Sequence, residues 1–230
     1  MTHGGNLPLL SADALMNLRP LWTAAAALMI GASFCAPAAA STTTQYASVI
    51  HSYNPRLPKH QSRNLARAVI RDAQRAHIDS RLLTALVTVE SHWRLGAVSR
   101  AGARGLGQLM PTTAHKLGVN PLDPLANLFG TSTYLSRMVR EFGSKPNGLH
   151  LAIAAYNAGP LAIKRAQGIP NNGETPRYVR KVVALFHALS GKLVDVSRPL
   201  DTFVVATMPI EPYANIMPVA QTDDAANATP

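Results

Sequence analysis

Between residues 62 and 190, apolar side chains recur every three or four positions, which is the period of an α-helix. Leu65, Val69 and Ala73 mark one such face. The same period, with Pro, Asp and Gly near the ends, predicts a helix that begins at Asp79 or Ser80 and contains Glu90, further helices over 111–117, 124–142 and 149–156, and one that begins at 175–176. No segment alternates convincingly as a strand does. The pattern therefore predicts a mainly α fold in a single domain over residues 62–190.

The first 40 residues are typical of a secretory signal peptide. An apolar run covers Leu21 to Phe34, about 14 residues where a membrane-spanning helix needs roughly 20. Arg19 precedes the run, and three alanines at 38–40 offer the small residues of a cleavage site. We expect cleavage near Ala40; an uncleaved membrane anchor is the alternative.

Two further segments lie outside the predicted domain. Residues 41–61 are rich in Thr, Ser and Pro and are expected to form a loose lead-in segment. Residues 191–230 hold five acidic against two basic side chains and end in an Ala-, Asp- and Thr-rich stretch, which predicts a mostly disordered tail.

Glu90 stands out because it interrupts an apolar helix face. Leu83, Leu86, Val87 and Glu90 lie at i, i+3, i+4 and i+7, so a helix places the carboxyl on its apolar stripe, near its C-terminus. Burial and the negative end of the helix dipole both disfavour a carboxylate. We expect a raised pKa, as a general acid near neutral pH needs. The alternative is a half-buried Glu with a structural role.

The segment that follows Glu90 favours the functional interpretation. It is a loop punctuated by Gly102, Gly105 and Gly107, with Ser99 and Gln108 as polar members, and it leads into a Met-Pro-Thr-Thr helix start. Such a loop lets a ligand approach the backbone closely and offers amide and hydroxyl partners. A residue that breaks the local rules beside a loop of this kind indicates a site.

This loop is the first of four sequence blocks that follow one another along the chain. The blocks are Glu90-Ser91 with Ser99 and 102–114, then 123–135, then Ala155-Tyr156-Asn157-Ala158-Gly159-Pro160, then Glu174-Thr175-Pro176 with Tyr178-Val179. Together they resemble the soluble lytic murein transglycosylase family (glycoside hydrolase family 23, the SLT domain), over roughly residues 64 to 187. The resemblance implies a lysozyme-like arrangement. Gly107 departs from the pattern, since the family most often has Met there, and this change is expected to loosen one wall of the cleft.

The resemblance also implies a reaction. Glu90 would protonate the glycosidic oxygen between N-acetylmuramic acid and N-acetylglucosamine, and then, as a carboxylate, take the proton of the muramoyl C6 hydroxyl while that oxygen closes onto C1. The product is a 1,6-anhydromuramoyl end, formed with no metal or organic cofactor. Substrate-binding roles carry over to Ser99, Gln108, Tyr156, Asn157 and Tyr178. From the residues alone, a turn hydroxyl is the alternative role of Ser99, and the helix spacing of Tyr178 indicates a core position.

The carboxylates of the domain fit a mechanism with one acid. Residues 61–190 contain only six: Asp72, Asp79, Glu90, Asp123, Glu141 and Glu174. Most glycosidases use two carboxylates, yet Asp72 falls on a predicted polar face, and Asp79 and Asp123 are predicted to begin helices. Glu174 is the only other candidate for a catalytic carboxylate, because it lies in a loop. Its position beside Thr175-Pro176 favours a role at the start of a helix.

The composition limits the classes of binding partner but does not determine the function. The net charge is +10, which suits an anionic polymer of the cell envelope such as peptidoglycan, whose stem peptides carry carboxylates. The basic residues are not interleaved with aromatics, so no nucleic-acid partner is predicted. Cleavage would remove Cys35, the only cysteine, and the histidines show no metal-ligand spacing. We expect a periplasmic or secreted monomer; a role beside a secretion or pilus assembly is left open.

Two other functions remain open at this stage. A hydrolytic muramidase on the same fold would release reducing muramic acid instead of the anhydro sugar. A catalytically inactive wall-binding protein would keep the cleft without turnover, although the intact Glu90 argues against it.

Overall fold

The structure is a computed structural model that describes Met1 and residues 35–195, with side chains described from Thr42 onward. It contains eight helices in this part of the chain: α1 Cys35–Tyr53, α2 Lys59–Ala76, α3 Ser80–Ser91, α4 Pro111–Leu117, α5 Pro124–Phe142, α6 Gly148–Ala158, α7 Pro160–Ala166 and α8 Glu174–Ser190. Outside the helices, the described residues form only isolated bridges, between Val98 and Arg104 and between Arg104 and Leu109. The prediction of a mainly α fold is confirmed.

Helix α3 lies among the other helices and carries the centre of the core. Its Leu83, Leu86 and Val87 are fully buried, as the apolar stripe predicts. Helix α3 packs against α2 and α8, α8 packs against α6, and α5 packs against both α2 and α6. This packing fixes the C-terminal end of α3 between the loop that follows it and the first turns of α8.

Helix ends follow the chemistry that the sequence predicts. Asp79 caps α3 by accepting the Arg81 backbone N–H at 2.8 Å, and Asp123 caps α5 by accepting the Ala126 N–H at 2.6 Å. Pro111 opens α4, and Gly118 ends it at φ +68°, a conformation that glycine adopts without strain.

The expectation of a loose lead-in over 41–61 is wrong at both ends, since α1 extends to Tyr53 and α2 begins at Lys59. Residues 42–53 belong to α1, whose Tyr46, Ala47 and Ile50 are buried against the domain. The face is narrow and the rest of the helix is small and polar, so the sequence offers little amphipathic signal. The cleavage site expected near Ala40 falls within α1; residues 2–34 of the predicted signal peptide lie outside the described residues.

The predicted tail also begins too early. Leu193 is buried, and the Val194 carbonyl accepts a hydrogen bond from the Tyr46 hydroxyl at 2.8 Å. Residues 191–195 are therefore part of the packed structure, while the predicted tail from 196 onward lies outside the described residues.

Asp72 corrects a third expectation, because its side chain is buried instead of lying on a polar face. Arg71, the next residue back, forms a two-pronged ion pair with it, at 2.8 and 3.1 Å. Paired in this way, a buried carboxylate avoids most of the cost of desolvation.

No helix in the described part of the chain is both long and apolar enough to span a membrane.

Candidate active site

Glu90 is the last residue but one of α3 and is only partly exposed. Burial is the main cause that raises the pKa of its carboxyl, from an ordinary 4.5 to about 7. A hydrogen bond from Tyr178 opposes the rise, and the negative charge of Glu174 adds to it. At neutral pH a large fraction of Glu90 is therefore protonated and can donate a proton to a bound ligand.

The chain turns away sharply after Glu90, which leaves this carboxyl at the helix end. His92 and Trp93 both adopt positive φ, 50° and 61°, which non-glycine residues rarely do. The fully buried Trp93 indole holds the turn by donating to the Thr88 hydroxyl at 2.8 Å, and Asn54 donates to the Trp93 carbonyl at 3.0 Å. Strain of this kind persists where the surrounding packing enforces it.

Two tyrosines from different helices lie at this end of α3. Tyr178, on α8, donates its hydroxyl to Glu90 Oε1 at 2.6 Å. Tyr156, on α6, donates to the Gly107 carbonyl at 2.7 Å instead, and its ring centroid lies 5.2 Å from that of Tyr134. Burial raises the pKa of both phenols, and the nearby Glu90 charge raises it further, so both remain hydrogen-bond donors throughout the neutral range.

The glycine loop is held by one buried amide that the sequence does not single out. Asn127, on α5, donates to the carbonyls of Arg104 and Pro121 at 2.8 and 3.0 Å, and its Oδ1 accepts the Gly107 N–H at 2.8 Å. Asn127 lies in the second of the four sequence blocks, but its residue type and position do not predict that it holds the loop. Asn127 therefore fixes the glycine loop.

Gly107 is enclosed, which differs from the expectation of a looser cleft wall. A Cβ at this position would collide with the Thr131 side chain. Since Thr131 fills that space, Gly107 leaves no gap behind it. The Thr131 side chain on α5 occupies the space that a larger residue at position 107 would need.

Ser99 and Gln108 both take part in the internal bonding of the loop. The Ser99 hydroxyl accepts the Ala103 N–H at 3.0 Å, which is the turn role, and its own proton stays available for a second acceptor. Gln108, at φ +49°, donates its amide nitrogen to the carbonyls of Ala97 and Gly105 at 3.1 and 2.9 Å. Both amide protons are used in this way, so its Oε1 is the atom suited to receive a ligand donor.

Asn157 belongs to a polar cluster at the start of α8. Its Oδ1 accepts the Thr175 hydroxyl at 2.9 Å, and its Nδ2 lies 3.4 Å from Glu174 Oε1. Glu174 is the first residue of α8, as its predicted helix-start position requires. Its charge acts on Glu90 through space, which makes it the other acid of this site.

The arrangement offers one proton donor within a set of oriented hydrogen-bonding groups. No group of three or more His, Cys, Asp or Glu side chains in the described part of the chain is placed to hold a metal ion. The chemistry that the described residues support is proton transfer to and from a bound molecule at Glu90.

Comparison with known proteins gives a family match over the middle of the chain. Residues 67–179, about half of the chain, match the family model described as the transglycosylase SLT domain. The membrane-bound lytic murein transglycosylase F 1 of Alkalilimnicola ehrlichii is 42% identical over 91 residues, which cover 38% of this chain and 18% of that protein. The membrane-bound lytic murein transglycosylase F of Cellvibrio japonicus is 40% identical over 116 residues, 47% and 23% of the two chains. This chain thus spans about a fifth of the length of these relatives.

Among solved structures, an inactive mutant of the lytic transglycosylase Slt from Pseudomonas aeruginosa is similar with a TM-score of 0.47 and 24% sequence identity. The alignment covers 66% of this chain and 31% of that one.

Proposed function

We propose that this chain, whose residues 67–179 form a transglycosylase SLT domain, is a lytic transglycosylase that cleaves the β-1,4 bond between N-acetylmuramic acid and N-acetylglucosamine in peptidoglycan. The observation that carries the proposal is the mostly buried carboxyl of Glu90, with a pKa of about 7 and a hydrogen bond from Tyr178. The relatives are named as lytic murein transglycosylases, which supports murein as the substrate.

In the proposed reaction Glu90 acts first as an acid. Its proton passes to the glycosidic oxygen, the bond from that oxygen to C1 breaks, and the bonding electron pair leaves with the N-acetylglucosamine. The carbonyl oxygen of the muramoyl N-acetyl group stabilises the positive charge at C1. Tyr178 then stabilises the new Glu90 carboxylate, because its hydroxyl donates to Oε1.

Glu90 next acts as a base. Its carboxylate takes the proton from the C6 hydroxyl of the same muramoyl residue while that oxygen bonds to C1, which restores the acid and forms the 1,6-anhydro ring. No water is consumed. An intramolecular nucleophile gains from proximity, and this gain replaces the second carboxylate of most glycosidases.

The remaining side chains are proposed to bind the glycan. The free proton of Ser99 would donate to the N-acetyl carbonyl, and Gln108 Oε1 would accept from a sugar hydroxyl or amide. Tyr156 holds the loop against the cleft, and Asn157 links the sugar site to the start of α8. These roles rest on the hydrogen bonds described above and on the four sequence blocks.

The N-terminal segment supports a cell-envelope location. We propose that the apolar run at 21–34 directs export and that the enzyme acts on the wall from the periplasm or the outside. Peptidoglycan lies in that compartment, and a net charge of +10 suits its stem-peptide carboxylates.

A hydrolytic muramidase is the second candidate, and Glu174 is the observation that favours it. A hydrolase needs a second carboxylate to activate water, and Glu174 is close enough to influence the pKa of Glu90. However, Glu174 lies beside Asn157 at the start of a helix, where the helix dipole stabilises its charge without any catalytic role.

Mass spectrometry of digested sacculi separates the two. A lytic transglycosylase releases muropeptides that are lighter by one water than those of a muramidase. Glu174→Gln should still give anhydro products at a rate within about tenfold of wild type, and the matched control Glu141→Gln, whose carboxylate pairs with Lys164 on the enzyme surface, should behave alike. Reducing-end products, lost in Glu174→Gln but not in Glu141→Gln, would overturn the proposal in favour of the muramidase.

A further inference from the structure

A groove between α1 and the first turns of α2 is lined by basic side chains and lies on elements that contribute no residue to the candidate active site. It encloses about 240 Å³, and Lys59, Arg63 and His51 lie along it. No acidic side chain is among its lining residues in the described part of the chain. The surrounding sequence is equally one-sided, since residues 41–71 contain five Arg or Lys and no Asp or Glu. The groove is therefore a positive feature whose described lining residues include no carboxylate.

Ser62 lines the same groove with a buried hydroxyl that lacks a partner. The residue is 1% exposed, and its Oγ makes no hydrogen bond within the described residues. Other helical hydroxyls of this protein behave differently: those of Thr84, Thr88 and Thr131 each donate to the carbonyl four residues earlier. A buried polar atom without a partner is costly, so the Ser62 hydroxyl points to a ligand atom that completes it.

The groove lies at the start of α2, the positive end of that helix's dipole. Its N-cap residue is Pro58, which makes no side-chain capping bond, and its first turn contains no acid. The first N–H groups of a helix have no partner within the helix, and together with the helix dipole they attract an anion. Helices α3 and α5 differ, because Asp79 and Asp123 already occupy that position.

We propose that this groove is a phosphate-binding site formed by Lys59, Ser62 and Arg63 at the start of α2. A tetrahedral oxyanion matches the set: two cationic side chains and one hydroxyl, beside the positive end of a helix dipole. Free phosphate and the phosphodiester of an anionic lipid headgroup share this chemistry. The site goes beyond the proposed activity and would hold the enzyme where phosphate groups are concentrated.

Calorimetric titration of the full chain with inorganic phosphate tests the site. We expect saturable binding that weakens about tenfold in Arg63→Gln, the loss of one charge-assisted contact. The matched control is Arg67→Gln, one turn further along α2, where the side chain is exposed, bonds to Asn64 at 3.3 Å and does not line the groove. No saturable binding, an equal loss in Arg67→Gln, or equally tight binding of acetate would overturn the proposal.

Ser62→Ala provides a second test, in which the melting temperature is measured without and with phosphate. Without phosphate, the variant should melt at a higher temperature than wild type, since it removes an unsatisfied buried hydroxyl. With phosphate, its stabilisation by the ligand should be smaller than that of wild type. A lower melting temperature without phosphate together with an unchanged phosphate response would show that the hydroxyl serves the fold alone, and would contradict its place in the site.

Vesicles separate the two phosphate sources. Binding of the full chain to phosphatidylglycerol vesicles, weaker in Arg63→Gln than in Arg67→Gln and reduced by added inorganic phosphate, would assign the site to a lipid headgroup. Phosphate binding with equal vesicle binding by the two variants would assign it to free phosphate. Inorganic phosphate that affects neither the calorimetric trace nor the vesicle binding would rule the site out.

Discussion

The two ends of α3 are built from opposite kinds of contact. At the N-terminal end Asp79 caps the helix and pairs with Arg81 at 2.5 Å, while Ser80 Oγ lies 2.7 Å from the Tyr46 hydroxyl. The polar groups there have their partners. At the C-terminal end a carboxyl sits on the wrong end of the helix dipole, burial raises its pKa to about 7, and the chain leaves through two residues with positive φ.

The two ends of α3 therefore contribute differently to the stability of the folded state. Contacts at the N-terminal end stabilise the fold, and they come from distant parts of the chain, α1 and the segment after α8. The C-terminal end gathers groups that destabilise the folded state and that the proposed reaction requires. If this division is right, substitutions at the two ends should affect different quantities: stability at one end, turnover and its pH dependence at the other.

The largest effect is expected from Glu90→Gln. Loss of the general acid should reduce turnover of purified sacculi by at least about 10²–10⁴-fold, the usual contribution of such a group, while circular dichroism shows an unchanged fold. The folded-state pKa lies above the ordinary 4.5, so wild type binds more protons when folded and loses stability as pH rises from about 4.5 to about 7. The variant should not lose stability over this pH range, and its melting temperature at pH 8 should be higher than that of wild type. Substantial remaining lysis would mean that the acid lies elsewhere.

Next in size is removal of the segment after α8. A chain that ends at Ser190 loses the buried Leu193 and the bond from Tyr46 to Val194, and should be less stable by about 2–4 kcal/mol in urea unfolding. A chain that ends at Asp195 keeps these contacts and is the control. Equal stability of the two chains would support the sequence-based domain boundary at 190. It would also show that the segment after α8 does not stabilise the N-terminal end of α3.

Tyr178→Phe should change the pH profile of turnover with little effect on stability. The Tyr178 hydroxyl lowers the pKa of Glu90, so its loss should raise that pKa and move the alkaline fall in activity to higher pH. Turnover at the optimum should drop by about tenfold through weaker support of the carboxylate. Tyr156→Phe is the matched control, since its hydroxyl bonds to Gly107 and not to Glu90. If both variants shift the alkaline fall equally, the Tyr178 contact is not its cause.

The smallest effect is expected from Tyr46→Phe at the other end of the helix. The variant loses bonds to Ser80 and Val194 at 2.7 and 2.8 Å, which should cost about 1–2 kcal/mol of unfolding free energy. The pH at which activity falls should not move. A displaced pH profile in this variant would show that the two ends of α3 are coupled.

What the sequence predicts well is the part of the molecule whose signals are local. The stripe of Leu83, Leu86 and Val87, the Asp79 cap and the Pro111 start each follow from residues within one or two turns, and all are confirmed by the helix bounds and burial. The position of Glu90 on the apolar face follows from the same periodicity, and so does the direction of its pKa.

What the sequence does not predict depends on residues far apart. Tyr46 bonds to Ser80, 34 positions away, and to Val194, 148 positions away. The sequence alone therefore predicts α1 and the segment after α8 to be loose, because their partners are distant in the chain. Asn127 holds the glycine loop from 20 residues away, and Asp72 is buried only because of the packing of its helix. Periodicity contains no information about such partners.

The central claim is that Glu90 is a protonated acid near neutral pH, and a carbon-13 NMR titration of the glutamate carboxyls tests it most directly. Comparison of wild type with Glu90→Gln assigns the signal. We expect one carboxyl signal that titrates near pH 7 in wild type and is absent from the variant. A Glu90 carboxyl that titrates near the ordinary 4.5 would contradict it, because a group already ionised at neutral pH could not protonate the glycosidic oxygen.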